Sequence, residues 1–476
     1  MHRVLGAAVA AAALLGAVPA VASAAPSAPS GPAPPSLVPL LSGFSKFWQS
    51  DGLNDLHGTV LAPGTLARND MLAVWINNHA TKAQQFRALQ DSEYNNATST
   101  AYDESLTIST ALGSVLGRLY VTGTERGRLP LTQALINSSD GTAGAYVSTS
   151  TAKAYYSYPR PYLPTDPGTP PVPGDAAGCA PSLENGSSLT SIRAGQPYAD
   201  ANGNLKIVRV PGVTDTTHEF SRRNVALSPG YGTTGICTAG SFPSGHTTTA
   251  YEAGVTLATL LPELAPEILA RASEQGNDRI VLGVHYPIDI MGGRIDGEAA
   301  LAALWSDRQF RIKVLEPARA ELVKYLQRQC GGTLPQCVAR GKAYYDNPYG
   351  GQVMPGGTAQ IVSSRRSALQ VYTQRLTYGF APAGRTRLAP SVPARAGNLL
   401  LTSFPTLTAA QRTSILAQTE IGSGYPLDGT GTSRGSWERL NLAAAMSATV
   451  RVSCKGAVTV LRVGGQPTVV RTRVHH

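Results

Sequence analysis

The sequence predicts a mainly α protein, and three observations carry that expectation. Apolar residues recur at helical spacing through Leu106, Ala111, Leu112, Val115, Leu116 and Leu119. Helical patterning returns from His246 to Leu261, from Leu264 to about Asn277, and from Asp289 to Tyr325, where Ala299 to Trp305 is rich in Ala and Leu. With 476 residues, 42% apolar and 15% charged, the chain is long enough for a large core and too apolar for a disordered segment.

Taken in order, the first element is a secretory signal. Arg3 supplies the positive start, Val4 to Val18 a short apolar stretch, and Ala22-Ser23-Ala24 a small-residue cleavage site, with cleavage expected after Ala24. This places the mature protein outside the cytoplasm, secreted or in the periplasm or cell envelope. Residues 25–42 are rich in Pro, Ala and Ser and read as a flexible leader. Residues 43–339 form the expected helical domain, in which Asn69 or Asp70 would cap a helix running through Leu72, Ile76 and Ala80 towards Leu89.

Residues 162–240 interrupt that domain with a Pro-rich tract and many Gly and Ser, and read as a long irregular insertion. Residues 340–476 read as a C-terminal extension. It holds a helix over Ala409–Ile421, a stretch from Trp437 to Met446, and Val/Thr alternation from Ala448 to Val474, compatible with a β-hairpin turning at Gly464-Gly465. After the signal, the best candidate for a membrane span is Gly254–Ala265, and Pro262 and Glu263 break it. No integral span is expected.

Export implies an oxidising compartment. Cys330 and Cys337 flank a short turn and suit a disulfide, Cys179 and Cys237 are candidates for a second, and Cys454 is left over. Neither these spacings nor the neighbouring histidines suggest a zinc site. The formal charge of +10 suits anionic substrates or surfaces. No Lys/Arg run interleaved with aromatics supports a nucleic-acid partner.

Three short segments hold the chemistry: Lys153-x6-Arg160-Pro161, then Pro243-Ser244-Gly245-His246, then Arg279-x5-His285-x3-Asp289. Lys153, Arg160 and Arg279 supply fixed cations, and guanidinium forks match phosphate oxygens two at a time. The residues between Lys153 and Arg160 are aromatic and end in proline, an unusual setting for casual surface charges. Ser244 and Gly245 open a helix, where free backbone N–H groups and the positive dipole end favour an anion. His246 follows, placed to protonate a leaving oxygen. Asp289, four residues after His285, can fold back onto Nδ1 and leave Nε2 to attack phosphorus. A carboxylate on only one of two histidines is what a division of acid and nucleophile roles requires.

The three segments resemble the signature of the type 2 phosphatidic acid phosphatase superfamily, Lys-x6-Arg-Pro, Pro-Ser-Gly-His and Ser-Arg-x5-His-x3-Asp. Gly240 to Thr247 is similar to the corresponding pattern of bacterial class A non-specific acid phosphatases. The resemblance covers Lys153 to Gly293, with helical support from about 44 to 325. It implies a helical-bundle core of the phosphatase/haloperoxidase type and a metal-independent phosphomonoester hydrolase with no cofactor. By the same resemblance His285 is the nucleophile that becomes phosphohistidine, and Asp289 orients it. His246 protonates the leaving group, and Lys153, Arg160, Ser244, Gly245 and Arg279 hold the phosphoryl oxygens of a small phosphorylated substrate.

Two departures stand out. The family's serine before the motif arginine is Asp278 here, and the gap from Pro161 to Pro243 is long for the compact soluble phosphatases. Vanadium-dependent haloperoxidases share the same cage, with vanadate where phosphate would sit, so that activity is an alternative. A lipid phosphate or pyrophosphate phosphatase is another. A phosphate-capturing protein without turnover is disfavoured, because binding alone needs the cations and not the histidine–carboxylate pair.

Overall fold

A computed structural model describes residues 31–94, 103–161, 187–231 and 233–471. The signal sequence, the start of the leader, the Pro-rich tract, Cys179 and the Cys237 side chain lie outside the described residues, and so does the expected Cys179–Cys237 bridge.

The architecture is mainly α. The helices that frame the core are α1 (Pro63–His79), α2 (Lys82–Glu93), α3 (Gly113–Glu125), α4 (Ser150–Tyr156), α5 (Gly245–Leu260), α6 (Ala265–Val281), α7 (Pro287–Leu304), α8 (Glu316–Cys330), α9 (Arg365–Arg375) and α10 (Ala409–Thr419). Local chemistry sets their ends. Proline opens α1 and α7 at the position where a missing N–H costs nothing. The Thr81 hydroxyl accepts from the Gln84 N–H to start α2. Gly331, at φ +70°, ends α8 in the left-handed conformation.

Helices α5, α6 and α7 form the centre. All of α6 except Glu267 is buried, as is all of α7. Close approach depends on glycine at two positions: a Cβ on Gly254 of α5 would collide with Ala272 of α6, and one on Gly293 of α7 would lie 2.6 Å from the Ser244 carbonyl. Among the described residues no single helix is long and apolar enough to cross a membrane, and the apolar pair running from Gly245 to Val281 is bent by 114°.

Several expected boundaries moved. The helix expected to start at Asn69 or Asp70 begins at Pro63. Both polar residues are buried partners instead: Asp70 pairs with Arg193, and Asn69 accepts the Ile288 N–H. The Leu106–Leu119 stripe breaks at Gly113, whose φ of +80° no continuous helix tolerates. The expected Asp289–Tyr325 helix is two, because Trp305 to Asp307 end α7.

The described leader is packed, with Leu37 and Leu41 buried and the Tyr156 hydroxyl donating to Val38 O at 2.8 Å. In the insertion, residues 187–231 carry a helix at Ser187–Arg193 and a small hairpin. Leu189, Ile207, Val210, Phe220 and Leu227 of that stretch are buried.

The strands are short: β1 (Trp48–Ser50) with β2 (Gly58–Val60), β3 (Val213–Asp215) with β4 (Val225–Leu227), and β5 (Thr449–Val452), β6 (Val458–Arg462) and β7 (Thr468–Arg471). In the last sheet β5 is central, antiparallel to β6 and parallel to β7. The C-terminal hairpin therefore turns before β6, near Gly456, and the Gly464-Gly465 turn instead sends β7 across to the far edge of β5. The C-terminal residues reach the core: Arg375 of α9 donates to Ala270 O and Ser273 Oγ on α6. The Cys330–Cys337 disulfide is formed, and Cys454 is exposed and free.

Candidate active site

The three segments meet where the N-termini of α5 and α7 come together. The Ser244 N–H donates to Asp289 O at 3.1 Å, tying the second motif to the third. The strand-like run after α4 joins them through Ser241 N–H to Tyr158 O at 2.7 Å. Aromatic packing holds that run. Phe44 stacks on Phe242 with centroids 3.8 Å apart, Tyr156 and Tyr158 meet Phe44 edge-on, and Trp48 Nε1–H donates to Tyr156 O. Tyr156 and Tyr158 are thus buried wall material beside the two cations, while Tyr155 faces solvent.

The cations are held by carbonyl oxygens. Lys153 Nζ donates to Gly240 O at 2.8 Å and Ser241 O at 3.1 Å. Arg160 is 4% exposed and donates to Ala239 O, Val284 O and Gly235 O. Arg279, near the C-terminus of α6, donates through Nη1 to Ser92 Oγ of α2. Burial and then Arg160 push the Lys153 ammonium well below its usual pKa. Burial and then Arg279 push Arg160 down to about 10. These are the signs of positive charge crowded into a desolvated space.

His285 sits between a carboxylate and a guanidinium. Its Nδ1 is 3.0 Å from Asp289 Oδ2, and its Nε2 is 3.0 Å from Arg160 Nη1. A guanidinium can only donate, so Nε2 is the acceptor and Nδ1 carries the hydrogen. Asp289 Oδ2 also accepts the Tyr286 N–H at 2.9 Å, which caps α7 and orients the carboxylate. Burial pushes Asp289 up to about 7, against the Tyr286 N–H and Lys153. Burial, Arg160, Lys153 and Arg279 push His285 well below the usual imidazole range, so the ring is neutral, with Nε2 accepting from Arg160.

His246, in the first turn of α5, is half-buried. Burial and then Arg279, Arg160 and Lys153 push it far down as well. The same three cations act on both histidines, and His246 acts on His285. Of the eight residues singled out from the sequence, Arg160 and Asp289 touch His285, the Ser244 N–H bonds to the Asp289 carbonyl with Gly245 next in the chain, and Lys153, Arg279 and His246 act on the same imidazole. Ser244 also caps α5, its Oγ accepting from the Thr247 N–H and O–H, and neither contact uses its own hydroxyl hydrogen. A cavity of about 320 Å³ opens against Gly245 and His246.

Sequence reasoning missed the supports. Ser92 anchors Arg279 from a helix of ordinary sequence, and nothing local marks it. Arg193 grips Asp70 through Nε and Nη2 at 2.9 Å each and donates to the Tyr286 hydroxyl, so the insertion braces the residue beside His285. Asp278, where the family has serine, is fully buried, and burial and Asp91 push it well above the usual carboxylate range. It turns away from the cage towards Asp91 and Glu274.

Residues 140–313, which span all three motifs, match the family model described as the PAP2 superfamily. The resemblance is to PAP2 phosphatases. Over 90 residues the chain is 42% identical to an acid phosphatase of Zymomonas mobilis subsp. mobilis, 19% of this chain and 34% of that protein. It is 36% identical over 85 residues to a non-specific acid phosphatase of Providencia stuartii, 18% of this chain and 34% of that protein. A non-specific acid phosphatase of Salmonella typhi is 36% identical over 83 residues, 17% of this chain and 33% of that protein. The chain spans about a third of the length of these curated relatives. The match to the PAP2 family model thus covers the segment that holds the three motifs.

Proposed function

We propose that the protein is an exported, metal-independent phosphatase that hydrolyses phosphomonoesters through a phosphohistidine on His285. The observation that carries this reading is the bracketing of the His285 ring by Asp289 and Arg160 at 3.0 Å each. A neutral imidazole with its Nε2 held against a phosphate-binding guanidinium is a nucleophile placed where an anion bound by Arg160 would sit. Export rests on Arg3, the Val4–Val18 stretch and Ala22-Ser23-Ala24. A phosphoric monoester hydrolase agrees with the names of the acid phosphatases to which part of the chain is similar.

The reaction runs in two displacements. Lys153, Arg160, Arg279, the Gly245 N–H and the Ser244 hydroxyl hold the phosphoryl oxygens. His285 Nε2 forms a bond to phosphorus as the bond to the ester oxygen breaks, and His246 gives that oxygen a proton. Asp289 stabilises the positive charge that develops on the His285 ring. His246, now neutral, takes a proton from water, whose oxygen attacks phosphorus. The P–N bond breaks, and phosphate and free His285 are restored. The substrate enters as the monoanion and passes its proton to His246, whose charge the resulting dianion then offsets, so the proton needed for the first step arrives with substrate.

The test is phosphate release from p-nitrophenyl phosphate in the presence of a chelator, with His285→Ala as control. Loss of activity on chelation would count against a metal-free route. Replacing His246 by Ala should cost more on an alkyl phosphate than on the nitrophenyl ester, whose leaving group needs little help. Equal losses would remove His246 from the donor role. The same cage accommodates vanadate, and oxidation of bromide with vanadate and peroxide, without phosphate release, would favour the haloperoxidase alternative.

A further inference from the structure

A cavity opens beside His246, the residue proposed to protonate the leaving oxygen. It borders Gly245, which would contact the phosphoryl oxygens, and His246, which would protonate the ester oxygen. On the proposed reaction, that places the group attached to the ester oxygen against this cavity. Its remaining described walls are Ser138, Ala145, Val147, Ser148, Thr149 and Thr249. These side chains are small, four carry hydroxyls, and none is charged. Lys153, Arg160 and Arg279 do not line it.

We infer that this cavity selects a small, neutral, polyhydroxylated leaving group, so that the preferred substrates are monophosphates of sugars or polyols. The inference rests on the phosphatase reading above and narrows it. About 320 Å³ lies at the lower end of the range for small-molecule sites. A pyrophosphate or nucleoside polyphosphate would bring a second anionic group into this space, and the described walls offer no cation to meet it. A phosphatidic acid would bring acyl chains, and Ala145 and Val147 with the Thr249 methyl are too little apolar surface to cover them.

Hydroxyl-rich walls suit hydroxyl-rich ligands. Ser148 stands exposed at the mouth, with its Oγ 3.1 Å from Ser150 Oγ. Thr149 sits against the phosphate loop, its Oγ1 3.1 Å from where a Cβ on residue 245 would be. Thr249 returns its hydroxyl to the Gly245 and His246 carbonyls, which turns its methyl outward.

The experiment measures kcat/KM of the purified full chain on glucose 6-phosphate, pyrophosphate and phosphatidic acid in detergent micelles, with p-nitrophenyl phosphate as the common reference. Glucose 6-phosphate should be preferred over both others by at least about tenfold. Ser148→Arg should shift the ratio towards pyrophosphate by about tenfold. Ala145→Phe should raise the KM for glucose 6-phosphate by about tenfold while inhibition by inorganic phosphate, which has no leaving group, stays unchanged. That pairing separates a filled subsite from a disturbed fold, which would weaken both. Equal or better turnover of pyrophosphate or phosphatidic acid overturns the inference and leaves the phosphatase reading standing. No phosphate from any of the four compounds, the nitrophenyl ester included, overturns both.

Discussion

Two clusters of buried charge each take an arginine from α6, and they treat their arginines in opposite ways. In the cage, Arg160 and Arg279 are satisfied by carbonyl and hydroxyl oxygens, and Asp289 is the carboxylate that touches the motif histidine. Two turns away on the same helix, Arg271 is gripped by both oxygens of Asp91 and lies 3.4 Å from Glu274. Arg294 of α7 is likewise held between Glu298 and Glu438. The pKa directions separate the two kinds. Arg160 is pushed down to about 10, while Asp91 and Glu274 overcome burial and push Arg271 well up. Dipoles satisfy donors without cancelling charge, so the cage retains positive potential for an incoming anion. The carboxylate-paired arginines have none to spare and work as internal fasteners.

The contrast implies that the two kinds of residue fail differently, and the largest test is the nucleophile. His285→Ala should lower kcat by about 10⁴-fold or more while inorganic phosphate still binds by calorimetry, because the cations remain. A variant that loses phosphate binding as well would make His285 part of the scaffold. Next, Arg271→Ala should cost about 3–5 kcal/mol in denaturant unfolding, since it strands Asp91 in the interior. Intact stability would mean that the Asp91 pair is relieved by solvent.

Arg160→Gln should do the reverse, lowering kcat/KM by about 10²–10³-fold with little change in the unfolding midpoint, because it relieves like-charge crowding. Smaller again is the effect of ligand: phosphate at a hundred times its Kd should stabilise the wild type by about 2.7 kcal/mol, with most of that gain lost in Arg160→Gln. The mildest effect is on pH. His246 is held neutral, so the proton for the leaving group rides on the substrate, whose second ionisation falls near pH 6. kcat/KM on an alkyl phosphate should then fall by about tenfold per pH unit above that value. A flat profile from pH 6 to 8 would show that His246 is protonated in the free protein.

Much of the site was legible in the chain because its critical relations are local. Asp289 reaches His285 and the Tyr286 N–H within one helical start, and Ser244 caps the helix that Gly245 and His246 open. Such contacts need only backbone geometry over three or four residues. The aromatic run before Arg160 signalled burial for Tyr156 and Tyr158, while Tyr155 is exposed. Element boundaries were less legible. Asn69 and Asp70 look like caps until Ile288 and Arg193 arrive from far along the chain to use them as interior partners.

By itself, then, the sequence determined the mainly α class, the three motifs and the Cys330–Cys337 closure. Tertiary structure alone decided how each charge is used. Arg160, Arg271 and Arg294 are chemically identical in the chain, and whether one meets a carbonyl or a carboxylate depends on segments remote in sequence, such as Val284, Asp91 and Glu438. It also decided that Asp278 turns from the cage to Asp91, that Ser92 anchors Arg279, and that the C-terminal residues close onto α6 and α7. The physical reason is reach: helix caps and i,i+4 pairs are set by the chain's own geometry, whereas the compensation of a buried charge is a property of whatever packing brings beside it.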